Sequence, residues 1–140
     1  MSLSKRKPGR ILPTPAELRI LRVLWEESKG TVEDVVRRLS ATGPANYKTI
    51  QTLLRIMEQK KLVRHLHQGR AFIFEPCVSR EEVARLSVRN LLEQSFGGSP
   101  AQLLVNLLED GQIDESELSE LEDLIRRYRS QRRTASSNSG

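Results

Sequence analysis

Apolar side chains in this chain recur first at helical spacing, then alternate, then return to helical spacing. The clearest helical stretch is Asn46 to Lys61, where Ile50, Leu53, Leu54 and Met57 fall at i, i+3, i+4 and i+7. That spacing puts four apolar groups on one side of a helix. At 100° per residue the opposite side carries Lys48, Thr52, Arg55 and Gln59, flanked by Gln51 and Thr49. This side is expected to hold no apolar residue and no carboxylate. Its groups can hydrogen-bond phosphate oxygens and base edges, as a helix in a DNA major groove must.

Two helices are expected ahead of it. Thr14-Pro15-Ala16-Glu17 combines an N-cap hydroxyl, proline at the first helical position and a glutamate three residues after the cap. A helix follows to about Glu27, its buried stripe made by Leu18, Leu21, Leu24 and Trp25, and Lys29-Gly30 ends it. Thr31 caps a second helix through Val32, Val35, Val36 and Leu39, and Ser40 to Ala45 forms a turn containing Gly43 and Pro44. Three helices in this order make a helix-turn-helix unit.

After Lys61 the period changes to two. Leu62 to Leu66 and Ala71 to Glu75 read as short strands joined by His67-Gln68-Gly69-Arg70, with Val63, Phe72 and Phe74 inward and Arg64 and Arg70 outward. A hairpin directly after the recognition helix is the wing of a winged helix, and Arg70 stands at its tip. His65 and His67 share a strand face but have no Cys, Asp or Glu partner beside them in sequence, so no metal site is expected. Cys77 reads as structural.

Helical spacing returns at Ser79-Arg80-Glu81-Glu82, a capping box opening a helix to about Phe96. Ser99-Pro100 starts a shorter helix whose Leu103, Leu104, Val105, Leu107 and Leu108 cover more than half its circumference, which predicts burial on two sides. Asp114 caps a last helix with a seam of Leu118, Leu121, Leu124, Ile125 and Tyr128. The fold class is therefore mainly α. The expected divisions are a flexible basic arm over 1–12, a winged-helix DNA-binding domain over 13–77, a three-helix dimerisation domain over 78–130 and a disordered polar tail over 131–140. Some 50 residues of helix bury too little alone; packing back onto the winged helix is one source of cover, and a homodimer with Leu104, Leu107, Leu108 and the last helix's seam at its interface is the expected one.

Composition sharpens this picture in two ways. Residues 1–75 hold 15 Lys/Arg against 7 Asp/Glu, whereas residues 76–140 hold 8 against 11. The N-terminal half thus attracts polyanions. A single cysteine, no signal-peptide core and no 18-residue apolar run point to a cytoplasmic chain without membrane insertion.

In order and spacing, Val23-Leu24-Trp25-Glu26, the run Lys48 to Arg55, Lys60-Lys61 and Gly69-Arg70-Ala71-Phe72 resemble the penicillinase repressors of β-lactamase and methicillin-resistance systems. Copper-responsive repressors are relatives of that family. The resemblance runs from about Ala16 to Tyr128. It implies a dimer that binds a dyad-symmetric operator, with Lys48, Thr49, Gln51 and Thr52 at the DNA, Arg55 on phosphate and Arg70 on the wing; Asn46, at the start of the same helix, is expected beside them. It also implies a membrane-bound sensor protease as partner, cleaving at a bond whose counterpart here is Asn106-Leu107, with Leu in place of the family's Phe. The paired cysteines of the copper-responsive branch are missing, which excludes a copper-thiolate switch. Where relatives often carry an aromatic followed by Ser, this chain reads Ala45-Asn46-Tyr47.

The expected function is a dimeric repressor that occludes a palindromic operator and is released by proteolysis or another signal. The alternative is a winged-helix protein-interaction module, which would place aromatics or leucines on the outward side of the third helix. No nucleophile–base pair, phosphate loop, metal cluster or cofactor motif argues for an enzyme.

Overall fold

A computed structural model describes residues 12–139 of the chain. All but the last residue of the expected basic arm lies outside the described residues. The elements are α1 (Pro15–Glu27), α2 (Val32–Ser40), α3 (Tyr47–Gln59), β1 (Val63–Gln68), β2 (Ala71–Pro76), α4 (Arg80–Ser95), α5 (Pro100–Glu109) and α6 (Glu115–Ser139). The chain forms two compact units, Met1–Asn90 and Leu91–Gly140.

The first unit is a winged helix. Thr14 and Glu17 form a reciprocal capping box at α1, and Thr31 and Asp34 form another at α2. Ile20, Leu21 and Leu24 of α1 meet Val35 and Leu39 of α2 and Ile50, Leu54 and Met57 of α3 in one core, closed below by Leu62, Val63 and Phe74. Each such side chain contributes roughly 1.5–3 kcal/mol by leaving water. The hairpin is antiparallel with His65 opposite Phe74 and His67 opposite Phe72. Gly69 turns it at a positive φ of 65°. Gly30 adds a bridge on the other edge of β2, exchanging backbone hydrogen bonds of 2.9 and 2.8 Å with Phe74.

The unit boundary falls later than the sequence reading placed it. Val78 and Val83 belong to the first core. Trp25 Nε1 donates to the Val78 carbonyl at 2.9 Å, and the Arg80 guanidinium lies 5.0 Å from the Trp25 ring centre. The first turns of α4 are thereby attached to α1.

One expectation about the wing changes. Phe72 is exposed rather than inward: alternation does put it on the same face as Phe74, but the helical core reaches only as far as Phe74. Phe72 instead stacks on His65, with ring centres 4.4 Å apart, and meets His67 edge-on at 4.8 Å. Cys77 is exposed, and its backbone N–H donates to the Leu62 carbonyl at 2.8 Å.

The second unit differs more. No residue of α5 is buried, against the expectation of burial on two sides. Within one chain α5 is only partly covered: Leu103 and Leu107 are half-buried, while Leu104, Val105 and Leu108 are exposed. Leu124, Ile125 and Tyr128 of α6 are exposed as well. The segment expected as a disordered tail is helical, since α6 continues to Ser139. Nothing after Tyr128 breaks the helix before Gly140, and arginine is a good helix former.

Candidate nucleic-acid interface

α3 presents the polar side that its periodicity predicts. Asn46, at φ −105° and ψ 130°, caps the helix by accepting the Thr49 backbone N–H at 3.1 Å. Its Oδ1 also accepts the Thr49 hydroxyl at 3.4 Å. Asn46 is thus committed through its oxygen to starting the helix. No acidic residue occupies the first turn, so the positive end of the helix dipole is left for an external anion. Lys48, Thr49, Gln51, Thr52 and Arg55 are all exposed.

The candidates divide among three surfaces. Gln51 and Arg55 share a cleft with Arg70 of the wing, walled by Tyr47 and Phe72 and lined as well by two carboxylates, Glu58 of α3 and Glu33 of the α2 start. Asn46 and Thr49 line a separate depression with Arg19, Pro44 and Leu53. Lys48 and Thr52, both exposed, line neither. Among the described residues, Lys48, Arg55 and Arg70 make no ion pair or hydrogen bond through their side chains. Such guanidinium and ammonium groups are available to phosphate oxygens.

Neighbouring charges are spoken for. Arg64 pairs across the hairpin with Glu75 at 2.5 Å, and Arg38 pairs with Glu26 at 2.6 Å. Glu58, the one carboxylate on α3, is turned toward the hairpin. It accepts the His65 backbone N–H at 3.2 Å and faces His65 Nδ1 at 2.7 Å. This contact ties α3 to β1 and engages the carboxylate on the wing side of the cleft.

The far end of α3 is fixed by a buried ion pair. Lys60 Nζ lies 2.8 and 3.0 Å from the two Glu17 carboxylate oxygens, and Glu17 is 2% exposed. Burial pushes the Glu17 carboxyl up, but hydrogen bonds from Lys60 and from the Thr14 backbone N–H outweigh it and hold the group below the usual carboxylate range. Lys61 follows at a positive φ of 66°, turning the chain into the wing.

Sequence reasoning missed three residues here. Ile56 is 37% exposed. It sits about 40° around the helix from Thr52, inside the side expected to hold nothing apolar. Tyr47 is 46% exposed at the cleft wall. Arg19 is half-buried in the turn beside Gly43 and comes from a helix whose own pattern says nothing of α3. The wheel signal was available for Ile56, whereas Arg19 needed the tertiary fold.

Among the described residues, no group of three or more His, Cys, Asp and Glu side chains is placed to hold a metal ion, and no helix is long and apolar enough to cross a membrane. Asn106 is exposed and Leu107 half-buried, both within α5. Their carbonyls accept the backbone N–H groups of Asp110 at 3.1 Å and Gln112 at 3.2 Å.

The Penicillinase repressor family model matches residues 13–127. The penicillinase repressor of Bacillus licheniformis is 26% identical over 118 residues, covering 84% of this chain and 92% of that one. The transcriptional regulator BlaI of Mycobacterium tuberculosis is 33% identical over 113 residues, covering 76% and 82%. Among solved structures, the DNA-binding domain of the repressor BlaI is 31% identical, covering 55% of this chain and 92% of that one at a TM-score of 0.46. The monomeric form of Bacillus licheniformis BlaI in complex with the blaP half-operator is also 31% identical, covering 51% and 90% at a TM-score of 0.45. With the family model spanning most of its length, the chain belongs to the penicillinase repressor family, whose members are transcriptional repressors rather than enzymes.

Proposed function

We propose that this chain is a homodimeric, cytoplasmic repressor that reads a palindromic operator with α3 and the wing and blocks transcription by occlusion. The observation that carries this reading is the exposed polar side of α3, where Lys48, Thr49, Gln51, Thr52 and Arg55 face outward without a carboxylate among them and Arg70 joins Gln51 and Arg55 across one cleft. Lys48, Arg55 and Arg70 neutralise phosphates, while Gln51 and Thr52 reach base edges. The second unit, Leu91–Gly140, supplies the dimer through Leu104, Leu107, Leu108, Leu118, Leu121, Leu124, Ile125 and Tyr128, several of which are exposed in the single chain. A two-fold axis then matches two half-sites. Release comes from a signal outside the chain, for which a membrane-bound sensor protease acting at Asn106-Leu107 is the candidate.

The alternative, a protein-interaction module, draws support from Tyr47, Ile56 and Phe72, three exposed apolar residues on or beside α3. Salt-titrated binding separates the two. For the repressor, affinity for random duplex DNA falls linearly with salt on logarithmic axes, and footprints on the DNA upstream of its own gene show a dyad-symmetric protected stretch. A slope near zero and no footprint overturn the repressor reading.

A further inference from the structure

The last helix carries its charge in two blocks. From Glu115 to Asp123, α6 has five carboxylates and no cation; from Arg126 to Arg133 it has five arginines and no carboxylate. The acidic total of the C-terminal half conceals this second block. All five arginines are exposed. Arg126, Arg129 and Arg133 fall at i, i+3 and i+7 and so lie along one stripe, with Arg132 to one side of it and Arg127 further round, in a groove with Leu104 and Leu124. Leu124 and Tyr128 lie across the helix from this stripe, with Ile125 at its border, so an apolar partner centred on Leu124 and Tyr128 leaves Arg126, Arg129 and Arg133 uncovered.

Ordinary explanations account for little of it. Only Arg126 has a carboxylate partner among the described residues, Asp123 at 3.0 Å. The last turn of α6 holds no basic residue, which puts the arginines outside the reach of the helix dipole. Arginines at i+3 and i+4 from one another repel, and a surface serving solubility alone intersperses the two signs.

We infer that Arg126 to Arg133 form a second polyanion-binding surface whose partner is the sugar-phosphate backbone of duplex DNA, outside the bases read by α3. The charge densities match. At 1.5 Å per residue the block spans about 10 Å, a length over which B-DNA presents about six phosphates. A membrane surface fits less well, because from Arg129 to Ser139 the helix has no apolar side chain larger than that of Ala135 to insert among lipid tails. This inference rests on the DNA-binding reading above.

The test is salt-titrated binding of the full chain to random duplex DNA, beside the variant R129Q/R132Q/R133Q, at concentrations where both sediment as the same species. The slope of log affinity against log salt is expected to fall in magnitude by about 2 to 3 in the variant. R129K/R132K/R133K is expected to restore it, since phosphate neutralisation requires charge and not a guanidinium fork. An unchanged slope in the glutamine variant, or no restoration by lysine, overturns the inference while leaving operator reading by α3 intact. Arginine-dependent binding to phosphatidylserine vesicles with an unchanged DNA slope overturns it in favour of a membrane partner. Wild-type protein that binds no DNA at any salt overturns both readings.

Discussion

Lys60 at the end of α3 and Glu17 in the first turn of α1 are joined by two charged hydrogen bonds of 3.0 and 2.8 Å, 43 residues apart in sequence. Glu17 meanwhile completes the capping box with Thr14. One carboxylate therefore starts α1 and fixes the exit of α3. The direction in which α3 leaves the core depends on this pair as well as on apolar packing.

Lys60→Ala strands a carboxylate that is 2% exposed. A loss of about 3 kcal/mol of stability is expected, read as a lower urea midpoint. Replacing both partners by apolar residues, Glu17→Leu with Lys60→Met, should recover much of that loss but not the roughly 1 kcal/mol of the cap. An unaltered midpoint in Lys60→Ala would show that the pair holds nothing.

Acid should find the same weakness. In the folded chain Glu17 is held below the usual carboxylate range, and so is Asp34, first by the hydrogen bond from the Thr31 backbone N–H and then by Arg37. A depressed folded value means stabilisation that is fully present above the unfolded value and lost as pH falls through the folded one. Urea midpoints should be level near neutrality and drop on acidification through and below the carboxylate range. The Glu17→Leu/Lys60→Met variant should drop less steeply.

Thr52→Ala should relax sequence preference, by about 1–3 kcal/mol between operator and random DNA if the hydroxyl reads a base. Lys48→Ala should weaken binding to both DNAs alike and reduce the salt slope by about 1. Parallel titrations decide; equal losses on both DNAs for both variants would remove Thr52 from base reading.

Leu124→Glu and Tyr128→Ala should shift the chain toward monomer, since these side chains are 41% and 61% exposed in one copy. Sedimentation over a dilution series reads this directly. Wild-type-like dimerisation in both would move the interface elsewhere.

Cleavage at Asn106-Leu107 would require α5 to open, because proteases bind extended chain and both carbonyls are tied into the end of the helix. Val105→Gly lowers helix propensity by roughly 0.3–0.5 kcal/mol, and should speed cleavage by a sensor protease. Equal rates in wild type and variant would show that opening of α5 does not limit the reaction.

How far the sequence carried these conclusions depended on whether a feature was local. Helix starts at Thr14, Thr31 and Ser79 were legible because each cap is closed within three residues. Ile50, Leu54 and Met57 announced the buried side of α3 by period alone. Lys60 stood out only as half of the Lys60-Lys61 pair that carries the resemblance, and nothing nearby in the chain pointed to Glu17. Phe72 was placed on the right strand face, but only the fold shows that the core stops short of it. The helical run past Gln131 was read as tail because it lacks apolar periodicity, a signal of burial and not of helicity.

The indole of Trp25, the only tryptophan in the chain, is half-buried with its N–H on the Val78 carbonyl and the Arg80 guanidinium over its ring. It therefore sits at the root of α4, between the winged helix and the segment leading into the second unit. Its emission is a built-in optical probe of that root, and titrating the unlabelled protein with DNA would show whether groove binding disturbs it.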